Sequence, residues 1–360
     1  MPLEIFKVSE GDAVHVSDAW LFDITKKIFE YVGVPSEDAS QAADVLVQAD
    51  LRGVDSHGVS NMLRNYVASY QEGAYNPTPS WEIVRERAST ATIEADQGLG
   101  IIIAPKAMKI AIQKAKKTGF GVVTIRNSAH MGMASYHAML ALEHDMIGVS
   151  MSAIGSGVFP TFGSEGRFGT NPIAIAAPAL NMHPFVFDIA TSIVAGNKLR
   201  LAKRLGTVMP AGLFADADGN IVDTAGQVPE IYNMIPIGGT REHGSHKGYG
   251  FALMVEILST LLSGGIPCTL LETGRPATHH VAAYDIDAFT DVQEFKEMMD
   301  KWLKHLEDTP PVPGHERVLT PGLEEEEATI KRKEEGIPLH PEVIDWFKVI
   351  CDEFSIPFKL

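Results

Sequence analysis

Histidines and a lysine held on glycine-bounded turns are the residues of this sequence best suited to chemistry. His57 stands in "DSHG", just past a helical run. An imidazole with an ordinary pKa of about 6.5 can take or give a proton near neutral pH. The plainer role at that place is to bond the last helix carbonyls and favour the negative end of the dipole. His130 stands in "NSAHMG", in the loop after an apolar strand, where α/β proteins place ligands. Lys247 lies in "GSHKGYG", ahead of a long apolar helix. Glycines admit a ligand to the backbone, a helix start favours anions and lysine adds charge. That set suits the phosphate or carboxamide part of a cofactor, with a helix cap as the ordinary alternative. Asp188, in "FVFDIATS", ends an apolar strand and either caps something or bonds a histidine or a ribose.

Other chemistries lack their signals. "GLGIII", Gly98 to Ile103, follows a strand and precedes a helix, but the third glycine of a dinucleotide fingerprint is missing. No acidic residue ends a second strand ~20 residues on, so a plain strand-to-helix turn is expected. There is no Walker A sequence and no nucleophile-elbow serine. His243, His246, His279, His280 and His315 make no helical pair with a third ligand, so no metal is expected.

The elements that must position these residues follow from periodicity. Leu21, Ile24, Ile28 and Val32 share one helix face. Ser36, before Glu37 and Asp38, reads as the capping hydroxyl of a second helix, and Gly53 as the left-handed residue that closes it. "SNMLRNYVASYQEG" gives a third helix. From Trp81 the texture changes to strands and helices, with "GVVTIR", "GMASYHAMLALEHD" and "MIGVSMS" forming a crossover unit around "NSAHMG". "NPIAIAAP" and "PFVFDIA" are two more strands. From about Asp291 the chain is helical again, "PPVPGHE" is a stiff connector, and the run Glu324 to Glu327 reads as a solvated helix face. The expected organisation is a helical region at residues 1–80, an α/β cofactor-binding domain at 81–290, and a helical region at 291–360 packing with the first.

The chain has 360 residues, 45% of them hydrophobic and 21% charged, with a net charge of −16. These totals describe an ordinary globular protein, and the acidity argues against nucleic acid or anionic lipid as a broad partner. The two cysteines, Cys268 and Cys351, form no metal spacing and read as thiols in a reducing compartment. No basic region precedes an apolar run at the N-terminus, and no stretch has the ~20 apolar residues of a membrane span. Cytoplasmic residence is expected.

Taken in order, "DLRGVDSHGVSNMLRNY", "RNSAHMGMASYHAMLALEHDMIGVSMS", "FGTNPIAIAAP", "FDIATSIVAGNK", "ADADGNIVDT" and "GSHKGYGFALMVEILSTLLSGG" resemble the malate/L-lactate dehydrogenase family of the non-Rossmann type. Its members include L-sulfolactate and ureidoglycolate dehydrogenases, diketogulonate reductase and cyclic-imine carboxylate reductases. The resemblance covers about residues 15–350. It implies an α/β fold with a mixed sheet flanked by helices, plus a helical sub-domain built from both chain ends. It also implies a homodimer that uses NAD or NADP and takes a small carboxylate substrate. By resemblance, His57 is the proton donor or acceptor, and His130 lines the same site and takes that role in some members. Pro184, Phe185, Asp188, Ile189 and Ala190, His246 with Lys247, and Gly314, His315 and Glu316 contact the cofactor. Gly155 and Ser156 approach the nicotinamide in some members.

The sequence also departs from the family. Many members carry "SHGVxR", whereas here the arginine position is Asn61, with Arg64 three residues later. Ser56, Asn61 and Arg64 are the substrate candidates. If Arg64 does not reach inward, the usual carboxylate anchor is weakened. The segment "GGTREHGSHKGYG" is extended, and Arg241 within it reads as part of a longer loop. The expected activity is hydride transfer between nicotinamide and a 2-hydroxy or 2-oxo acid. Reduction of a cyclic imine carboxylate or oxidation of ureidoglycolate is the alternative, and a non-catalytic binding protein is the reading from another class.

Overall fold

The computed structural model describes Val8, residues 11–272, Gly274 and residues 276–360. Most of the N-terminal stretch read above as lacking a leader lies outside the described residues. The elements run β1 (Val14–Val16), α1 (Asp18–Tyr31), α2 (Ser36–Leu51), α3 (Val59–Gln71), β2 (Glu82–Glu86), β3 (Thr90–Glu94), α4 (Gly100–Thr118), β4 (Phe120–Ser128), α5 (Ala134–Met139), β5 (Met146–Ala153), β6 (Ile173–Ala177) and β7 (Phe185–Ile189). They continue with α6 (Gly196–Leu205), β8 (Val208–Met209), β9 (Gly226–Gln227), α7 (Ser245–Val255), β10 (Ala277–Asp285), α8 (Val292–Glu307), α9 (Leu323–Glu335), β11 (Ile337–Leu339) and α10 (Pro341–Glu353).

A seven-stranded sheet in the order β2-β3-β4-β10-β5-β6-β7 forms the centre. β3 and β4 pair in parallel across α4, and every other neighbouring pair is antiparallel. The crossover read around "NSAHMG" exists but is split, because β10 enters between β4 and β5 and runs against both. β10, "ATHHVAAYD", is the strand of this sheet that periodicity does not show: adjacent His279 and His280 break its apolar run, yet both are buried.

Small residues bring the helices onto this sheet. Gly121, Ala283 and Gly148 are register neighbours on three adjacent strands. A Cβ on Gly121 would lie 1.9 Å from the Ala111 carbonyl of α4, and one on Gly148 would lie 2.0 Å from the Ala138 carbonyl of α5. Both helices therefore press on one face at the same row. Above α4 sits the helical layer: Leu21, Ile28, Leu46 and Tyr66 of α1, α2 and α3 share a core with Leu99 and Ile101, and with Leu339 and Phe347 from the C-terminal end. β1 pairs with β11, joining the two ends of the chain directly.

Two local readings change. Ser36 is the first residue of α2 rather than its cap; Pro35 holds the cap position with φ −56° and supplies no side-chain bond. Proline already fixes the entry angle there, and Glu37 and Asp38 complement the dipole in the first turn. The run Glu324 to Glu327 is not a uniformly solvated face. Glu325 lines a cavity, Glu326 lies 3.7 Å from Arg52, and Glu327 makes two bonds to Arg317. Gly53 takes the expected left-handed conformation with φ +73°.

Candidate active site

His57 is held by a turn that is fastened from several sides. α2 ends, Asp55–His57 make one 3-10 turn, and α3 begins at Val59. The buried Asp50 carboxylate accepts the Val59 N–H at 2.7 Å, capping α3. A Cβ on Gly58 would fall 1.8 Å from Asp50 Oδ1, so only glycine lets the two helices meet there. Burial first, then the charge of Asp55, pushes the Asp50 carboxyl well up from its usual range. Arg332 of α9 donates to the Asp50 carbonyl and to the Asp55 carboxylate. Asn197 of α6 donates to the Ser56 carbonyl at 3.1 Å. The His57 ring does not close α2: its Nδ1 sits 3.0 Å from Ser56 Oγ, and the ring lines a cavity. The helix-end role considered for it is thereby corrected, since backbone bonds, including Arg52 N–H to Gln48 O and Gly53 N–H to Asp50 O, already finish the helix.

His130 lies in the loop at the end of β4, its ring parallel to that of His57 with centroids 5.6 Å apart and planes 13° apart. The Gly132 N–H donates to His130 Nδ1 at 3.1 Å, so that nitrogen carries no proton and the neutral ring is protonated at Nε2. The Tyr66 hydroxyl, 2.7 Å from the same Nδ1, donates as well, because burial holds its pKa well above the ordinary value. Two further buried histidines clamp the loop. His279 Nε2 donates to the Ala129 carbonyl at 3.0 Å, and His137 Nε2 donates to the Met131 carbonyl at 2.7 Å. His279 Nδ1 is in turn 2.9 Å from Ser152 Oγ.

Burial, followed by the charges of Lys198 and Arg200, lowers His57 to about 4. Burial, followed by His57 itself, holds His130 well below its ordinary value. Both rings are therefore neutral at pH 7. They open on a cavity of about 910 Å³, its mouth included, that also takes in Arg52, Ser135, Asp188, Lys198 and Glu325. Asp188 Oδ2 accepts the Ser135 N–H at 2.6 Å in the first turn of α5. Asp188 keeps surface open to the cavity, while protein closing around it pushes its carboxyl above the usual range. Burial likewise lowers the Lys198 ammonium.

Of the residues singled out from sequence, Ser56, His57, His130, Asp188 and Ala190 meet at this cavity. Gly155 and Ser156 follow the lining residue Ile154, and the Gly155 carbonyl accepts from Cys268 Sγ at 2.9 Å. Pro184, Phe185 and Ile189 flank Asp188 on or beside β7 without lining the cavity. His246 and Lys247 are exposed in the first turn of α7, and Gly314, His315 and Glu316 are exposed in the connector before α9. Neither group lines the cavity. Asn61 turns its amide back to the Asp55 carbonyl at 2.6 Å. Arg64 lies against α10, 2.7 Å from Glu342 and 5.4 Å from the Trp346 ring centroid, and does not line the cavity, so it does not replace the missing arginine at position 61.

Residues that the sequence reading passed over complete the site. Arg52 and Lys198 stand inside quoted motifs that give neither a role of its own. Tyr66 falls on the apolar stripe of α3 and His137 sits singly in an apolar run, so each resembles core; His279, beside His280, is weighed above only as a metal ligand. Glu325 was hidden in a charge run.

The malate/L-lactate dehydrogenase family profile matches residues 16–348. Malate dehydrogenase of Pyrococcus horikoshii is 40% identical over 344 residues, 93% of this chain and 94% of that protein. Its solved structure superposes with a TM-score of 0.89 at 37% identity, covering 98% of this chain and 99% of that one. L-sulfolactate dehydrogenase of Methanocaldococcus jannaschii is 36% identical over 341 residues, covering 93% and 95% of the two chains. The structure of delta1-piperideine-2-carboxylate reductase from Pseudomonas syringae pvar. tomato matches at TM-score 0.79 and 25% identity, covering 94% of this chain and 99% of that one.

Proposed function

The chain belongs to the malate/L-lactate dehydrogenase family and is an oxidoreductase acting on CH–OH groups; on that premise we propose that it transfers hydride between a nicotinamide cofactor, NAD or NADP, and a small 2-hydroxy or 2-oxo acid, with His57 as the acid/base. One observation carries this reading: a neutral imidazole whose Nδ1 is engaged by Ser56 lines a cavity shared with a second neutral imidazole and a carboxylate.

The residues present fit a nicotinamide nucleotide. Gly132, Ala134, Ala190 and Ala195 leave room for a flat ring along the wall, and Asp188 and Ser135 offer polar groups to an amide or a ribose. When bound, the cofactor supplies the hydride acceptor or donor, and the protein supplies position and electrostatics. In oxidation His57 Nε2 takes the hydroxyl proton; in reduction it returns that proton to the forming alkoxide. Ser56 Oγ fixes the ring orientation through Nδ1. His130, tautomer-locked by Gly132 and Tyr66, lines the same cavity and keeps an Nε2–H donor with which to steady the substrate oxygen.

A panel of 2-hydroxy and 2-oxo acids followed at the NAD(P)H absorbance tests the reading, and turnover of at least one member is the expected result. The alternative, reduction of a cyclic imine carboxylate, draws support from the piperideine-carboxylate reductase likeness and from Asn61, and the same panel with a cyclic imine separates the two.

We also propose a homodimer. Phe251, Ile257, Leu261, Leu262, Ile266 and Leu270 are all exposed on and after α7, an apolar face suited to a second copy. Sedimentation is expected to show two chains. Among the described residues no helix is long and apolar enough to cross a membrane. Two cysteines that form no metal-type spacing support residence in the cytoplasm.

A further inference from the structure

We propose that Arg52 is the carboxylate anchor of this active site, taking over the task that an arginine at position 61 would perform. The inference rests on the 2-hydroxy acid reading above and names the group that recognises such a substrate. Arg52 is 6% exposed and lines the cavity. Its Nε and Nη2 are buried and have no hydrogen-bond partner. Those two nitrogens form one complete side of the guanidinium, the fork that meets both oxygens of a carboxylate. The remaining terminus, Nη1, lies 3.7 Å from Glu326, close enough for charge attraction but not for a hydrogen bond. A buried cation with two unmet donors is unfavourable until an anion arrives.

Neither of the candidates named from sequence at positions 61 and 64 is turned toward that anion, and Lys198, the cavity's other cation, is a single ammonium without a planar fork. Asn61 spends its amide on the Asp55 carbonyl; Arg64 also buries an unpartnered Nε and Nη2, but it lies against Glu342 and Trp346 of α10 and does not line the cavity. Arg52 is fixed where it stands, because it is the cap residue of α2 and its own N–H bonds the Gln48 carbonyl. Asp188 and Glu325 share the cavity wall and stabilise the guanidinium charge at longer range without filling its open edge.

The test uses the full chain with Arg52→Lys and Arg52→Met. Tartronate, a 2-hydroxy dicarboxylate, is the probe; its affinity is measured by calorimetry in the presence of NAD(P)H, and cofactor affinity is measured separately by nicotinamide fluorescence. Arg52→Met is expected to weaken tartronate, and to raise KM for the accepted acid, by roughly ten- to a hundredfold, with a smaller change in kcat. Arg52→Lys recovers part of the loss, and cofactor affinity stays within about threefold. Unchanged tartronate affinity and KM would overturn the proposal. So would a loss confined to cofactor binding, which would assign the fork to the cofactor phosphates. If the variants fail to fold, a structure of the wild-type protein with cofactor and tartronate decides: a carboxylate on Nε and Nη2 supports the anchor, and one placed elsewhere contradicts it. A wild type that binds tartronate at Arg52 yet oxidises no 2-hydroxy acid would sink the dehydrogenase reading and leave the anchor standing.

Discussion

Two neutral imidazoles lying ring to ring give the site its acid–base character. Burial holds His57 at about 4, with Lys198 and Arg200 adding to the effect. A base works only when unprotonated, and a ring with that pKa is unprotonated throughout the neutral range. In the oxidation direction kcat/KM is therefore expected to stay level above about pH 5 and to fall as pH drops through about 4. A pH profile that bends near the ordinary histidine value would contradict the assignment. At this scale the sequence was informative where a residue sat in a long ordered motif: His57, His130 and Asp188 were all found that way, and they share one cavity. It was uninformative where a polar side chain looked like an ordinary core or helix-end residue. His137 and His279, fully buried clamps on the His130 loop, and Arg52 are of that kind. Nothing in their spacing marks them, because the backbone carbonyls that the two histidines bond and the cavity that Arg52 lines leave no pattern in residue type.

The turn between α2 and α3 is the element that sets His57 in place, and its geometry depends on one missing methyl. Gly58→Ala would drive a Cβ into the Asp50 carboxylate that caps α3. We expect this variant to lose about 2 kcal/mol or more of stability and to lose activity with it, read by denaturant melts and turnover together. A fully active Gly58→Ala with unchanged melting would show that the turn is looser than the contact implies. The helices and most strands were legible from periodicity, because α1 to α4 and β4 to β7 are long or cleanly apolar. The placement of α9 was not. It reaches back to the His57 turn through Arg332, 277 and 282 residues away along the chain, and to the cavity through Glu325. β10 escaped notice for a related reason: its two histidines disguise a central strand whose neighbours lie far off in sequence.

Across the whole molecule, burial of titratable groups sets how the protein answers to acid. His57, His130, His137, His279 and His280 are all held below the ordinary histidine value by burial. The unfolded chain binds protons at these positions first, at about pH 6.5, so the stability they confer is lost as pH falls from there through their lower folded values. Asp50 and Asp188, raised by burial, act in the opposite sense, since their folded forms take up protons first. Five groups outweigh two, and the melting temperature is expected to drop between pH 7 and pH 5. A melting temperature that holds or rises over that interval would contradict the buried neutral state of the histidines. The same neutral state serves the chemistry, because it leaves the base ready when a hydroxy acid enters.

The most direct test of the account is the hydride-transfer rate of His57→Gln in a single turnover, with cofactor affinity measured on the same preparation. A fall of about a thousandfold is expected, with cofactor binding near wild type. A transfer rate equal to that of the wild type would contradict it.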